Sequence, residues 1–280
     1  MDKKWPVHIS ARAGRLNLHI RELFACGDMI WLFVKRNITT TYKQTVLGPV
    51  WLIISPLLSS AVHNIVFSDI ANLSTDGVPS YLFYFCGNLI WSLFSGILIS
   101  NSNIFLANQS LFGKVYFPRL SVPVASVITK FFYFLIQLLL LGGFTVYFAC
   151  SSGAVNPSLY LLLLPVLMLH TALLGLGIGL ILSALTAKYR DLSSLVSFGT
   201  GLLMYATPVV YPSSAVDGLL RDLIMLNPMS PIVETFRYAF FGCGSIPWEN
   251  LGISLAATAA ILLLGILMFN RVERTFVDTV

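Results

Sequence analysis

The run FFYFLIQLLLLGGFTVYFACSSGAVNPSLYLLLLPVLMLHTALLGLGIGLILSALTA, residues 131–187, contains no Asp, Glu, Lys or Arg. A membrane-spanning helix needs about 20 mostly apolar residues, so this stretch is too long for one helix and has to turn. The turn is written in Ser151-Ser152-Gly153-Ala154-Val155-Asn156-Pro157, because Gly and Pro break helices and Asn favours turns. Two spans result, about Val122 to Phe148 and about Ser158 to Leu185, and Lys188-Tyr189-Arg190-Asp191 ends the second.

The same rule applied outward gives four more spans. They run from about Val46 to Phe67, Ser80 to Ser102, Ser193 to Tyr211 and Leu251 to Phe269. Composition agrees. Only 10% of the 280 residues are charged and 56% are hydrophobic, whereas a soluble domain carries about 25% charged residues. The expected fold is an all-α membrane protein with six transmembrane helices, residues 46–270, between a cytoplasmic segment 1–45 and a cytoplasmic tail 271–280.

Lys and Arg collect in cytoplasmic loops. Eight basic residues precede the first span, and Lys114, Arg119, Lys188, Arg190, Arg271 and Arg274 fall on the same side of a six-span arrangement. The first two opposite loops hold none, and the third holds Arg221 and Arg237. Both termini are therefore expected in the cytoplasm. The polar, basic residues 1–18 have no apolar stretch followed by a cleavage site, so no signal peptide is expected. The net charge of +5 reads as orientation in the membrane rather than as a nucleic-acid surface.

Three segments are not plain spans. From His19 to Ile38, apolar Ile20, Leu23, Phe24, Ile30, Trp31, Val34 and Ile38 trace one helix face among Arg21, Glu22, Asp28, Lys35 and Arg36. An amphipathic helix in the inner interface fits, with Trp31 at headgroup depth. It reads either as an anchor or as a lever on the first span. Between spans five and six, two short helical pieces flank Asn227-Pro228-Met229-Ser230-Pro231. They fit an outer re-entrant hairpin over about 213–247, with Glu234 and Arg237 facing each other on one turn, or an ordinary outer loop. The charged inner loops, Leu111 to Arg119 and Ala187 to Leu192, are either turns or knobs that dock on a soluble partner.

Much chemistry is absent. Gly113-Lys114 is preceded by Asn108 and followed by Val115, so no phosphate-binding loop is formed. His8, His19, His63 and His170 are scattered, no zinc motif occurs, and Cys26, Cys86, Cys150 and Cys243 lack metal-ligand spacing. Neither catalytic residues nor a metal site are expected. Cys150 and Cys243 read as isolated thiols in preference to a disulfide. The six cores carry no Asp or Glu, which argues against proton coupling. Lys130, about one-third along the third span, is the main charged exception and is expected to reach back to the inner interface. Gly175, Gly177, Gly179 and Gly199-Thr200-Gly201 read as small-residue helix packing.

A family resemblance rests on four segments in order. Thr41-Tyr42-Lys43-Gln44-Thr45-Val46-Leu47-Gly48-Pro49-Val50-Trp51 with Pro56 resembles the start of the first span in bacterial polysaccharide-exporting ABC permeases. Lys114-Val115-Tyr116-Phe117-Pro118-Arg119 with Pro123 is similar to their first inner loop, and Tyr189-Arg190-Asp191-Leu192 to their second. Asn227-Pro228 with Pro231-Ile232-Val233-Glu234-Thr235-Phe236-Arg237 resembles their outer re-entrant segment.

The resemblance implies a homodimeric channel in a bacterial cytoplasmic membrane. Two separate ATPase subunits, which bind ATP and Mg, would sit beneath it. It implies a lipid-linked polysaccharide cargo of O-antigen, teichoic acid or capsule type. The gate helix would carry Ile20, Leu23, Phe24, Trp31 and Val34. Coupling loops would carry Lys114, Phe117, Arg119, Tyr189, Arg190 and Asp191. Outer aromatic residues, among them Tyr81, Tyr84, Phe85 and Tyr205, suit sugar rings, and equally suit the aromatic belt of any membrane protein. A drug- or lipid-exporting permease shares the topology. A membrane-embedded glycosyl- or acyltransferase would need an acid or His cluster at one face, for which Asp217, Asp222, Glu234 and Glu249 lack an evident His partner.

Overall fold

A computed structural model describes residues 26–43, 48–112, 117–153 and 155–279. Among these residues every regular element is helical. Five helices are long and apolar enough to cross a membrane: Gly48–Ile70, Ser80–Ser102, Ser121–Ser151, Leu159–Thr186 and Trp248–Glu273.

Helix α1, Gly27–Tyr42, precedes them. Phe33 and Val34 are its buried residues, while Trp31 and Leu32 are exposed. Val34, on the face read from the sequence, is buried, and Ile30 and Ile38 pack partly buried beside it, while Phe33 adds a further contact and Trp31 stands exposed. Ile20, Leu23 and Phe24 lie outside the described residues.

A 3-10 turn, Gly48–Val50, leads into α2, Trp51–His63. Pro56 sits inside it, and Ser60 Oγ donates to the Pro56 carbonyl at 2.7 Å. The helix then widens into a π-helical stretch, Asn64–Ile70. Ser60 is the only buried residue of α2, and the π stretch has none. By contrast α3, Ser80–Ser102, is buried along most of its length and forms the central pillar.

Two short helices, α4 (Ile104–Ala107) and α5 (Gln109–Phe112), follow at the end of α3. The long α6, Ser121–Ser152, ends on Gly153 at φ +62, a left-handed stop that suits glycine. Ser158 Oγ accepts from Tyr160 N, and the 3-10 segment Leu159–Leu163 feeds α7, Leu164–Thr186. The turn expected near 151–157 is present.

Glycines let α7 reach two neighbouring backbones. A Cβ at Gly175 would meet the Phe94 carbonyl at 3.0 Å, one at Gly179 would meet Asn101 Cβ at 2.8 Å, and one at Gly177 would meet the Leu262 backbone at 2.9 Å. The small-residue packing read there is present. It is absent at Gly199 and Gly201, where a Cβ would meet nothing within 4 Å, because their helix lies at the edge of the chain.

That helix, α8, is Leu192–Tyr205. The expected fifth span continued to Tyr211, but regular helix stops six residues earlier. Pro208 explains this, since proline lacks a donor and pushes the preceding residue out of helical geometry. Fourteen residues rise only about 21 Å, short of a hydrocarbon core of roughly 30 Å. Thr207 to Val210 then run irregularly but buried.

The remaining elements are a 3-10 turn (Ser213–Ala215), α9 (Leu219–Leu226), α10 (Met229–Phe241) and α11 (Trp248–Thr279). The last helix passes Phe269, the expected end of span six, because no Gly or Pro follows it in residues 270–279. Helix α9 leaves Leu219, Leu220, Leu223 and Leu226 exposed. Helix α10 is buried at every position except Tyr238.

Candidate functional site

One end of the bundle is organised around α10. Asn227 Oδ1 accepts the Met229 N–H at 3.1 Å, capping the helix, and Asn227 Nδ2 donates to Thr207 Oγ1 at 2.9 Å. Pro228 follows at the break, its carbonyl accepting from Ser254 Oγ. Two residues of α10 carry charge into this buried setting. Arg237, 4% exposed, pairs with Glu234 at 3.3 Å. Its Nη2 donates to the Pro208 and Val209 carbonyls at 3.0 and 3.1 Å, and its Cζ lies 3.7 Å from the Phe83 ring centroid. Glu234 Oε1 also accepts the Ser213 N–H at 3.2 Å. Buried charges persist when paired and hydrogen-bonded. Here the pair occupies the carbonyls that the broken helix after Tyr205 leaves open. The sequence paired Glu234 with Arg237 but did not reveal the Pro208, Val209 and Phe83 contacts.

The aromatic candidates form a chain of ring contacts rather than one open surface. Tyr81 stacks on Phe85 at 6.3 Å and donates its hydroxyl to the Leu57 carbonyl at 3.1 Å. Phe67, on the π-helical stretch, bridges Tyr84 at 6.3 Å and Tyr205 at 6.4 Å. Tyr84 and Phe85 are buried, Tyr81 is half-buried and Tyr205 is 52% exposed. Within this chain, only Tyr205 of the four stands open to a large ligand.

The opposite end joins three elements. Phe33 of α1 meets Phe117 at 5.6 Å, and Phe117 meets Phe112 at 5.8 Å. Arg36 donates to Asn108 Oδ1 at 3.0 Å. Arg119 donates to the Glu273 carbonyl and faces its carboxylate at 3.8 Å, and Phe105 stacks on Phe269 at 4.8 Å. The segment through Phe117 and Arg119 is thus fastened both to α1 and to α11. Tyr189, Arg190 and Asp191 are exposed between α7 and the helix that begins at Leu192. Lys114 lies outside the described residues. Asn108 and Phe33 were not singled out from sequence. The signal for Phe33 is its i+3 spacing from Ile30.

A cavity of about 700 Å³ opens between α2, α3 and α6. Its polar lining includes Ser55, Ser59, Ser92, Ser95, Lys130 and Gln137, and Trp51 and Trp91 flank them. Gln137 Nε2 donates to the Leu52 carbonyl at 3.1 Å and Ser92 Oγ donates to Gln137 Oε1 at 3.4 Å. Ser92 is exposed although it lies on the most buried of the five long helices. Among the described residues no acidic side chain lines the cavity.

No group of three or more His, Cys, Asp or Glu able to hold a metal occurs among the described residues. All four cysteines are free thiols, including Cys150 and Cys243. His63 contacts Asn88 at 2.9 Å, and His170 contacts Thr258 at 3.0 Å and Ser254 at 3.2 Å. Both histidines are therefore tied into helix packing.

Comparison with known proteins places these features. The chain is 25% identical over 253 residues to the O-antigen export system permease protein RfbA of Klebsiella pneumoniae, covering 90% of this chain and 94% of that one. It is 28% identical over 249 residues to the protein of the same name from Myxococcus xanthus, with 87% and 92% covered. It is 21% identical over 256 residues to the capsule polysaccharide export inner-membrane protein CtrC of Neisseria meningitidis, with 88% and 91% covered. Residues 29–241 match the family described as ABC-2 type transporter, a stretch that runs from α1 to the end of α10. This multi-pass membrane chain therefore belongs to the ABC-2 type transporter family.

Proposed function

We propose that the chain is the membrane-channel subunit of an ATP-driven exporter of a lipid-linked polysaccharide, of O-antigen, teichoic acid or capsule type. The observation that carries this reading is near full-length similarity to permeases named for O-antigen and capsule export, on a chain whose residues 29–241 match the transporter family. The chain has no phosphate-binding loop of its own, so ATP and Mg belong to a separate ATPase subunit, present in two copies.

In this reading two copies of the chain line the path through a bacterial inner membrane. Residues 1–45 stay in the cytoplasm with a gate helix at the interface, 46–270 cross the membrane, and 271–280 return to the cytoplasm. The path from α8 through the buried 206–211 stretch serves as a sixth crossing. Helices α9 and α10 form the re-entrant hairpin, and the near-complete burial of α10 supplies the protein shield that broken backbone needs at membrane depth. The loops through Phe117 and Arg119 and through Tyr189 to Asp191 transmit the ATPase stroke. The contacts of Phe117 and Asn108 with α1 support a linkage from that loop to the gate helix. Tyr205 is the aromatic candidate best placed to meet passing sugar.

The test is co-purification of the tagged chain with its candidate ATPase partner, followed by ATP hydrolysis with and without lipid-linked glycan. A one-to-one complex stimulated by the glycan is the expected result. A chain that purifies alone, under conditions that keep other transporters intact, sinks the reading.

A further inference from the structure

Lys130 is the only Asp, Glu, Lys or Arg in α6. It lies nine residues past Ser121, about 14 Å of helical rise from the start of the helix. Its stem does not simply run along its own helix. It lies across α3 at Gly96, where a Cβ would stand 3.4 Å from Cδ, 3.6 Å from Cε and 3.8 Å from Nζ. The missing side chain at Gly96 makes the notch that carries the ammonium toward the cavity of about 700 Å³.

Among the described residues the ammonium meets no opposite charge there. The ion pairs found among the described residues are Arg119–Glu273 and Arg237–Glu234, and the cavity lining has no acid. The Tyr133 ring lies 5.7 Å from Nζ. Such a contact contributes about 0.5–2 kcal/mol, against several kcal/mol for taking one ion out of water. A charged Lys130 in this place calls for water or an anion beside it.

Its lining suits an amphiphile. Ser55, Ser59, Ser92, Ser95 and Gln137 bring polar groups that can hydrogen-bond an oxyanion, and Trp51, 52% exposed, and Trp91 line the same space. Lipid phosphates are the abundant anions of a membrane, and an ammonium beside hydroxyl donors suits phosphate oxygens. We propose that this cavity binds the phosphate of a lipid-borne phosphate ester, with Lys130 as its counter-charge.

The proposal does not need the exporter reading, and its test uses the full chain alone in detergent. Native mass spectrometry would measure retention of dodecyl phosphate against dodecanol. Wild type is expected to prefer the phosphate by about tenfold or more. Lys130→Gln should abolish the preference and Lys130→Arg should keep it. Ser92→Leu, which fills the cavity without touching the charge, should weaken retention and guards against misfolding of the first variant. Competition by phosphatidylglycerol would assign the site to bilayer phospholipid, and its failure to compete would assign it to a single-chain phosphate of the kind that carries cargo. Equal retention of the two dodecyl probes by wild type, or an unchanged preference in Lys130→Gln and Ser92→Leu, overturns the proposal. Neither result bears on whether an ATPase co-purifies.

Discussion

The Cζ of Arg237 stands 3.7 Å from the centroid of the Phe83 ring. That ring covers a guanidinium already held by Glu234 and by two carbonyls of the irregular stretch after α8. One side chain thus ties α10, α3 and the segment through Pro208 and Val209. Arg237→Ala leaves Glu234 buried without its partner, and breaking such a pair costs about 3–5 kcal/mol. The expected outcome is loss of the folded chain from detergent extracts, or a markedly lower thermal midpoint. Arg237→Lys, which cannot serve both carbonyls and the carboxylate with a planar fork, should fall between. A midpoint unchanged in Arg237→Ala would refute the clamp.

Arg36 and Asn108 are 72 positions apart in the chain and meet at 3.0 Å. If this contact carries force between the first inner loop and α1, either alanine substitution should lower glycan-stimulated ATP hydrolysis. The double variant should then be hardly worse than the singles, with a coupling energy of about 0.5–1 kcal/mol. Additive losses would mean the two residues act separately.

Gly265 faces α7 so closely that a Cβ there would sit 2.5 Å from the Gly177 carbonyl and 3.2 Å from Leu180 Cβ. Gly265→Val should destabilise by about 1–3 kcal/mol or more through overpacking, read as a lower thermal midpoint. Gly142 meets nothing within 4 Å, so Gly142→Ala should be neutral, or stabilising by about 0.5–1 kcal/mol as a helix-interior glycine is replaced.

Cys150 is exposed near the end of α6, and Cys86 is buried in α3. With the proposed orientation, a membrane-impermeant maleimide added to intact cells whose outer face is accessible should label Cys150 and spare Cys86. Labelling of Cys150 only after the cells are opened would reverse the topology.

Cys243 is half-buried. Burial first, and then the Asp76 carboxylate, hold its thiol above the usual value. The thiolate is the reactive form, so alkylation at Cys243 should be slow near neutral pH and rise as pH climbs toward the raised value. Asp76→Asn removes a negative charge that disfavours the thiolate, and in a background lacking the other cysteines it should speed the reaction at pH 8 by roughly twofold to threefold. A rate insensitive to that substitution would exclude the electrostatic contribution.

Much of the helical plan was legible because lipid excludes charge, and residues 131–187 announce two spans by that rule alone. The shortened α8 was legible too, at Pro208, but the reading carried the span on to Tyr211. On α1 the face through Ile30, Val34 and Ile38 was legible from its spacing, whereas the contact of Phe33 with Phe117 was not. The cavity was hidden for a different reason. Ser55 and Ser59 recur at i+4 on one helix, Ser92 and Ser95 at i+3 on another, and Lys130 and Gln137 lie seven apart on a third. Each pattern is common alone, and only helix rotation brings them to one space. The burial of α10 was likewise foreshadowed by Glu234 and Arg237, but their backbone partners lie on a segment whose irregular path no periodicity describes.

The contact of Gly265 with Gly177 also divides the molecule mechanically. Main chain against main chain leaves α7 and α11 no slack, and α7 grips α3 in the same manner through Gly175 and Gly179. On the opposite flank α2 offers a single buried serine. Three helices therefore form one stiff beam, and α2 is hung beside it by side-chain hydrogen bonds, from Tyr81 to the Leu57 carbonyl and from Gln137 to the Leu52 carbonyl.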